Sequence, residues 1–510
     1  MVFNSLEFIL IFLPICYFGF LVAGRLGGWE LAFTYLGIAS LVFYAQFSLM
    51  LVGILVVSVV SNYALGTFLV YQAKNPQKSG IPLLAGVLAN LGALGYFKYS
   101  NFFIDVVNQT GGMGWDHLNI ILPVGISFYT FIQIGYLVEA HGGQVKYQSF
   151  GRYLVFSTFF PCVTAGPLVL QREIFSQMDG RKDHTFDTRR LAVGLTLFAM
   201  GLFKKVVLAD SIAPYANVMF DGVADGQTVS MAAAWMGSLA YTFQLYFDFS
   251  GYSDMAIGLG AIFGIKLPIN FNSPFKATSI SDFWRRWHMT MSRFFATYLF
   301  NPMAMSGMRR AMKANFSDSQ RYAISTAWPL FFTMLIAGIW HGSGWTFVLY
   351  GALHGSALAI DHAWNQFNCP KVGKAGGWLM TMMVVVTGLV IFRAPDLLVA
   401  GEVLRSMTGY DMAMQYLGQA AVASGVAVSL NVMEVAPYLI VFGFIVLALP
   451  NTQQILSGEW LSSDVKPSDA EPAKPFRWQP NLGWSMATAV VFAIALTSIN
   501  GEGSFLYYQF

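Results

Sequence analysis

From Ile324 to Ile360 the chain is apolar and carries no Asp, Glu, Lys or Arg; the only histidines in the run are His341 and His354. At ~1.5 Å per residue a single helix of that length overshoots a ~30 Å hydrocarbon layer. The run must break or turn near its middle, where Gly338, Gly342 and Gly344 crowd around Trp340 and His341. An imidazole therefore falls at an irregular point of a membrane segment, where ionisable groups are costly and tend to be functional.

Hydrophobic residues make up 56% of the 510 positions and charged residues 11%, which excludes a soluble domain with a single anchor. Apolar stretches recur at 6–23, 30–47, 49–70, 81–97, 119–138, 153–170, 191–208, 231–247, 251–264, 376–392, 437–449 and 483–499. Counting half-length and re-entrant pieces, roughly ten to thirteen embedded helices are expected. No long polar block marks a separate soluble domain. The first stretch follows Met1 to Ser5 without Lys or Arg, and Arg25 comes after it, the reverse of a secretory signal. Lys74 and Lys78 lie in the loop from Gln72 to Gly80, and Lys266 to Arg321 carries nine Lys or Arg against two Asp. Both face the cytoplasm by the positive-inside tendency, which places Met1 outside. The net charge of +3 resides in such loops and calls for no nucleic acid.

Cys16, Cys162 and Cys369 are too scattered for a disulfide framework or a metal site. No repeat of fixed period is visible. By texture the chain divides into N-terminal helices (1–150), a motif-dense centre (151–365) and plainer C-terminal helices (366–510). Ser457 to Pro480 reads as a surface loop between the last two spans.

Asp282 to Leu299 is not a spanning segment. Trp284, Trp287, His288, Met291, Phe295 and Tyr298 recur at helical spacing, while Arg286, Thr290, Arg293 and Thr297 share another face. The pattern predicts a helix along the cytoplasmic interface, capped by Ser281, with Trp and Arg at headgroup depth.

Three groups could do chemistry. His341, flanked by glycines that permit a sharp path and close substrate approach, suits a neutral base; it equally suits a packing histidine bonded to a carbonyl. Trp284-Arg285-Arg286-Trp287-His288 offers two guanidiniums beside indoles, able to grip the phosphates of a cytoplasmic donor or lipid headgroups. The segment from Tyr246 to Asp254 sets Asp248, Ser250 and Asp254 among apolar residues, the carboxylates as general bases, as ion ligands or, more often for such groups, as braces of a polar pocket. His354 cannot share a straight helix face with His341 thirteen residues earlier, whereas His354 and Asp361, seven apart, can; one His and one Asp make no metal site.

Taken together these segments resemble the membrane-bound O-acyltransferase superfamily. Leu122–Thr130, Ala165-Gly166-Pro167, Gln244–Gly258, Asp282–His288 and Trp340-His341-Gly342 occur in the order seen in its bacterial branch. That branch includes the alginate O-acetylase membrane subunit, the cellulose and peptidoglycan acetylation subunits and the teichoic-acid D-alanylation protein. The opening Met1 to Ser5 and Gly95 to Tyr99 also match, so the likeness covers most of the chain. It implies an all-α polytopic fold, one domain over 1–510, with a ring of helices around a thin centre and a tunnel from a cytoplasmic donor to an outer acceptor. It further implies His341 as the catalytic residue and His288 as a second important one. Trp284, Arg285, Arg286, Trp287 and Trp340 would hold the donor, and Asp248, Ser250 and Asp254 would brace the pocket.

The tail Gly503 to Phe510 resembles a terminal aromatic motif of these envelope systems, in which Tyr507 would carry the acyl group as an ester; an aromatic belt is the plainer reading. After Tyr298 the likeness lapses: Asn301 to Arg310 replaces the usual continuation, which leaves the acceptor polymer open. The implied activity is an O-acetyltransferase of the bacterial inner membrane, using acetyl-CoA or another thioester as co-substrate, with no bound cofactor and no metal. It would serve an exported polysaccharide with a periplasmic SGNH-type partner. D-alanyl transfer from an acyl carrier protein and a proton-coupled transporter are the rival readings.

Overall fold

The structure is a computed structural model that describes residues 2–178, 187–410, 427–456, 476–499 and 505–506. Its backbone is helical almost throughout; the only strands among the described residues are Thr228–Val229 and Ala427–Val428, paired in parallel. Six described helices are long and apolar enough to cross a membrane: Phe8–Ala45, Leu49–Gln72, Ile81–Gly111, Thr188–Ala224, Asp318–His341 and Lys374–Arg393. Val432–Ala448 and Leu482–Thr497 are shorter apolar helices. Ile126–His141, Met231–Ile262 and Trp345–Gln366 are helical as well. The loop expected at Ser457 to Pro480 lies largely outside the described residues.

By Cα proximity the chain forms two compact units, Met1–Phe203 with Gly251–Ile269 and Thr452–Gln509, and Lys204–Ser250 with Asn270–Asn451. In the first unit the helical stretch beginning at Phe8 folds back at Gly27 and Gly28. Gly28 has φ 71°, a left-handed conformation that favours glycine. The Tyr35 hydroxyl then donates to the Ile15 carbonyl at 3.3 Å, so the two halves run antiparallel, as two separate apolar stretches required.

Polar residues join the next helices. Asn62 and Asn90 exchange side-chain amide hydrogen bonds of 3.1 and 2.8 Å, and the Asn62 amide and Ser58 hydroxyl both donate to the Gln133 side-chain oxygen Oε1, at 2.9 and 2.7 Å. Such bonds hold helices together where lipid removes the hydrophobic drive between them.

The second unit contains the long apolar run. It breaks where the glycines predicted: one arm, Trp328–His341, ends at His341, and the other, Trp345–Gln366, starts after Gly344. The arms pack backbone to backbone. A Cβ at Gly338 would lie 2.3 Å from the Phe347 carbonyl oxygen, one at Gly351 2.5 Å from the Met334 carbonyl oxygen, and one at Gly355 2.9 Å from Phe331 Cα. Gly351 and Gly355 form the small-xxx-small spacing that lets helices approach closely. Gly351→Val should therefore force the arms apart and cost about 1–3 kcal/mol, read as a lowered thermal midpoint in detergent.

The interfacial helix expected over Asp282 to Leu299 is not continuous. Ile280–Trp284 is one short helix, residues 285–288 form a turn, and Met289–Phe295 is a second helix that widens into a π-helical turn at Ala296–Phe300. The apolar periodicity was real, because both pieces bury it, but His288 adopts φ 43° and breaks the axis. The cap also lies two residues earlier than expected: Ser279, not Ser281, accepts from the Asp282 N–H at 3.1 Å.

Candidate active site

The break in the apolar run puts His341 at the end of its helix, 5% exposed, with Gly342 extended beyond it. A side chain at Gly342 would collide with the Phe347 ring, its Cβ 2.1 Å away, so only glycine lets the chain turn beneath that ring. Trp340, Phe392 and Tyr350 set their rings against the imidazole at 4.9, 5.3 and 6.1 Å between centroids, the last two nearly edge-on. The ring is held by packing on several sides.

His288 comes to within 6.4 Å of His341, centroid to centroid, and 6.2 Å of Trp340. It is fully buried. Its left-handed backbone is uncommon for a residue with a Cβ, and conformations of this kind gather at functional sites. Asn270 fixes it. The Asn270 side-chain oxygen accepts from His288 Nδ1 at 3.0 Å, from Thr290 Oγ1 at 2.9 Å and from Thr290 N–H at 3.3 Å, while its main-chain oxygen accepts from Met289 N–H at 3.0 Å. An oxygen that receives three donors places the proton of a neutral His288 on Nδ1 and leaves the lone pair on Nε2. Burial pushes the His288 pKa down, which keeps the ring neutral. Phe249 closes the other side, perpendicular to the ring at 4.7 Å.

The remaining expected residues divide. Trp284 donates its indole N–H to His354 Nδ1 at 3.3 Å. Trp287 is buried, parallel to Phe283 at 5.6 Å and perpendicular to Phe271 at 5.1 Å, and so serves the aromatic packing beneath the turn. Arg286 is held by Asp282 at 3.0 Å and by the Asn272 carbonyl at 3.3 Å. Arg285 points outward, its side chain 72% exposed and only 3.6 Å from Asp282, and is the freer cation for an anionic partner.

Asp248 is buried and paired with Lys205 at 2.7 Å; Lys205 also reaches Asp210 at 2.8 Å. That pairing makes Asp248 a brace. Ser250 is buried on the same helix. Asp254 belongs to the first unit, where Gln453 donates to it at 2.9 Å. Tyr507 lies outside the described residues.

Sequence reasoning passed over Asn270, Lys205, Tyr350 and Phe392, and left His354 without a task. Asn270 and Asn272 carried a signal: two amides between Pro268 and Pro274, beside a long apolar helix. Lys205 carried one too, as a lysine inside the apolar stretch 191–208 that needed a carboxylate.

A chain of long apolar helices with two imidazoles buried side by side near a helix break is a multi-pass membrane protein. It belongs to the membrane-bound O-acyltransferase family, whose model matches residues 138–400. It is 37% identical to a peptidoglycan O-acetyltransferase of Helicobacter pylori over 80% of both chains. With a probable alginate O-acetylase of Azotobacter vinelandii it shares 33% identity over the full length of both. A teichoic acid D-alanyltransferase of Bacillus subtilis is 29% identical over 53% of this chain and 66% of its own.

Proposed function

We propose that the protein is an O-acetyltransferase that takes an acetyl group from a cytoplasmic thioester, acetyl-CoA in the simplest case, and delivers it for O-acetylation of an exported cell-envelope polysaccharide. The observation that carries this reading is the buried His288–His341 pair at the helix break, in a chain whose full-length and near-full-length relatives are named for O-acetyl transfer. The family is one of acyltransferases, which decides against a transporter.

In this reading His341 takes the proton of the attacking hydroxyl. The oxygen adds to the thioester carbonyl, the C–S bond breaks, and the imidazolium returns its proton to the departing sulfur. His341 ends its helix, so the carbonyls of the last turn face the cation that forms. The second arm starts immediately afterwards, capped only by Gly344, and its positive end favours the tetrahedral oxyanion together with the Gly342 and Ser343 amides. His288, neutral and tied through Nδ1 to Asn270, presents Nε2 as an acceptor for the hydroxyl.

Arg285, with Arg286, would meet the donor phosphates, and Trp284, Trp287 and Trp340 would shape the acyl-bearing end. Asp248, Ser250 and Asp254 would brace the surroundings. Residues 1–510 would form one domain, a ring of helices around a tunnel in the inner membrane, with Met1 outside. The acceptor on the outer side would be a polysaccharide or a periplasmic SGNH-type partner, reached through an ester on Tyr507.

The D-alanyl reading has a specific support, the Bacillus subtilis relative, but over a shorter part of the chain. Purified protein supplied separately with labelled acetyl-CoA and with a D-alanylated carrier protein tests the choice. Acetyl label should appear on a polysaccharide acceptor, and on the tail peptide containing Tyr507 when the acceptor is withheld. Transfer from the carrier alone would replace acetyl by D-alanyl, and an unlabelled tail under slow turnover would remove the relay.

A further inference from the structure

The helix Trp345–Gln366 carries Tyr350, His354 and Asp361 at intervals of four and seven residues, a spacing that stacks them along one face. Each meets a different part of the site. The Tyr350 ring stands perpendicular to His341 at 6.1 Å and is inclined at 63° to His354 at 4.6 Å. His354 Nδ1 accepts the Trp284 indole N–H at 3.3 Å, the two rings at right angles. Asp361 Oδ2 accepts the Ser281 N–H at 3.0 Å.

Ser281 and Trp284 lie at the two ends of the short helix Ile280–Trp284. A helix this short does not hold itself together, because the cost of nucleating it exceeds what one turn returns. Two bonds from one neighbouring helix, one at each end, fix both its position and its rotation. His288 follows Trp284 by four residues, so its place depends on that anchoring. The same helix steadies His341 through Tyr350.

His354 is suited to this task. An indole N–H only donates, so Nδ1 must be the acceptor and the proton of the neutral ring sits on Nε2. Nε2 lies over Gly388, where an added Cβ would stand 2.5 Å away, so the ring fits closely and has one usable orientation. The imidazole is 1% exposed.

We infer that His354 and Asp361 are positioning residues, a two-point clamp on the Ile280–Trp284 helix that sets where His288 stands relative to His341. The clamp's catalytic meaning rests on the acyl-transfer reading above; its geometry does not.

The test uses full-length protein in two arms. His354→Leu and Asp361→Leu remove the acceptors, whereas His354→Asn and Asp361→Asn keep an oxygen in nearly the same place. In the kinetic arm the leucine variants should lower turnover by roughly tenfold or more with the donor KM held within about twofold, since a small misplacement of a reacting group is costly. The asparagine variants should retain most of the turnover. In the distance arm, His288→Cys and His341→Cys are combined in a background with Cys16, Cys162 and Cys369 replaced by alanine. A short bifunctional thiol reagent should bridge the pair, and the yield should drop with either leucine substitution and persist with either asparagine.

Bridging unchanged by the leucine variants would overturn the clamp, as would asparagine variants as impaired as the leucine ones. Should the parent protein transfer no acyl group at all, the activity reading falls, and the bridging yields still decide the clamp.

Discussion

His341→Ala should reduce acetyl transfer by about three orders of magnitude, the middle of the range for a lost general base. The protein should remain folded, because the imidazole is surrounded by Trp340, Tyr350 and Phe392, and two of these rings, Tyr350 and Phe392, pack on one another at 5.1 Å without it. The donor KM should change little, since the residue acts on the proton of the hydroxyl and not on the thioester's phosphates. The measurement is turnover with labelled acetyl-CoA, beside the thermal midpoint of the same preparation. His288→Ala should also lose turnover, and with it the Asn270 hydrogen bond and the left-handed turn, so its effect will include a share of misplacement. Residual transfer above about a tenth in folded His341→Ala would remove the base from the mechanism.

The second large effect concerns stability. Lys205 and Asp248 are 3% and 2% exposed and lie 2.7 Å apart, with Asp210 as a further, partly exposed partner of the lysine. Lys205→Met leaves the Asp248 carboxylate buried without its cation, and breaking a buried pair from one side typically costs about 3–5 kcal/mol. Asp248→Leu leaves Lys205 its ion pair with Asp210 and should cost less. The combined Lys205→Met, Asp248→Leu protein should recover much of the loss, since two apolar side chains replace two desolvated charges. Thermal midpoints of the three variants in one detergent settle this. A loss in the double variant equal to the sum of the two single losses would mean that the pair contributes no specific coupling.

This ion pair also bears on the active site. Asp248 is followed by Phe249, whose ring stands against His288 at 4.7 Å. Losing the lysine should therefore lower turnover as well as the midpoint, through the aromatic wall of the site.

Much of the architecture was legible in the chain because the bilayer restricts what backbone can do. An apolar run too long to cross once has to break, and glycines are where it can, so the hairpin at His341 was readable from Ile324 to Ile360. The fold-back at Gly27 and Gly28 followed from the gap between two apolar stretches. The face shared by His354 and Asp361 followed from helical spacing alone. The interfacial helix did not: its periodicity was continuous, and only the contacts of His288 with Asn270 and Phe249 explain why a residue with a side chain takes φ 43° in the middle of it. Local patterning cannot register a break whose cost is met by partners some twenty to forty residues away.

What the sequence determined by itself was the membrane-embedded helical class, the site of the main break and the identity of the candidate residues, because hydrophobic length and glycine placement are local properties that a bilayer converts directly into structure. What the tertiary structure decided was which of those residues meet. His288 beside His341, Asp248 on Lys205, and Trp284 on His354 are pairings between segments tens of residues apart. They arise because buried polar groups must find partners, and the packing of the helices determines which partners are within reach.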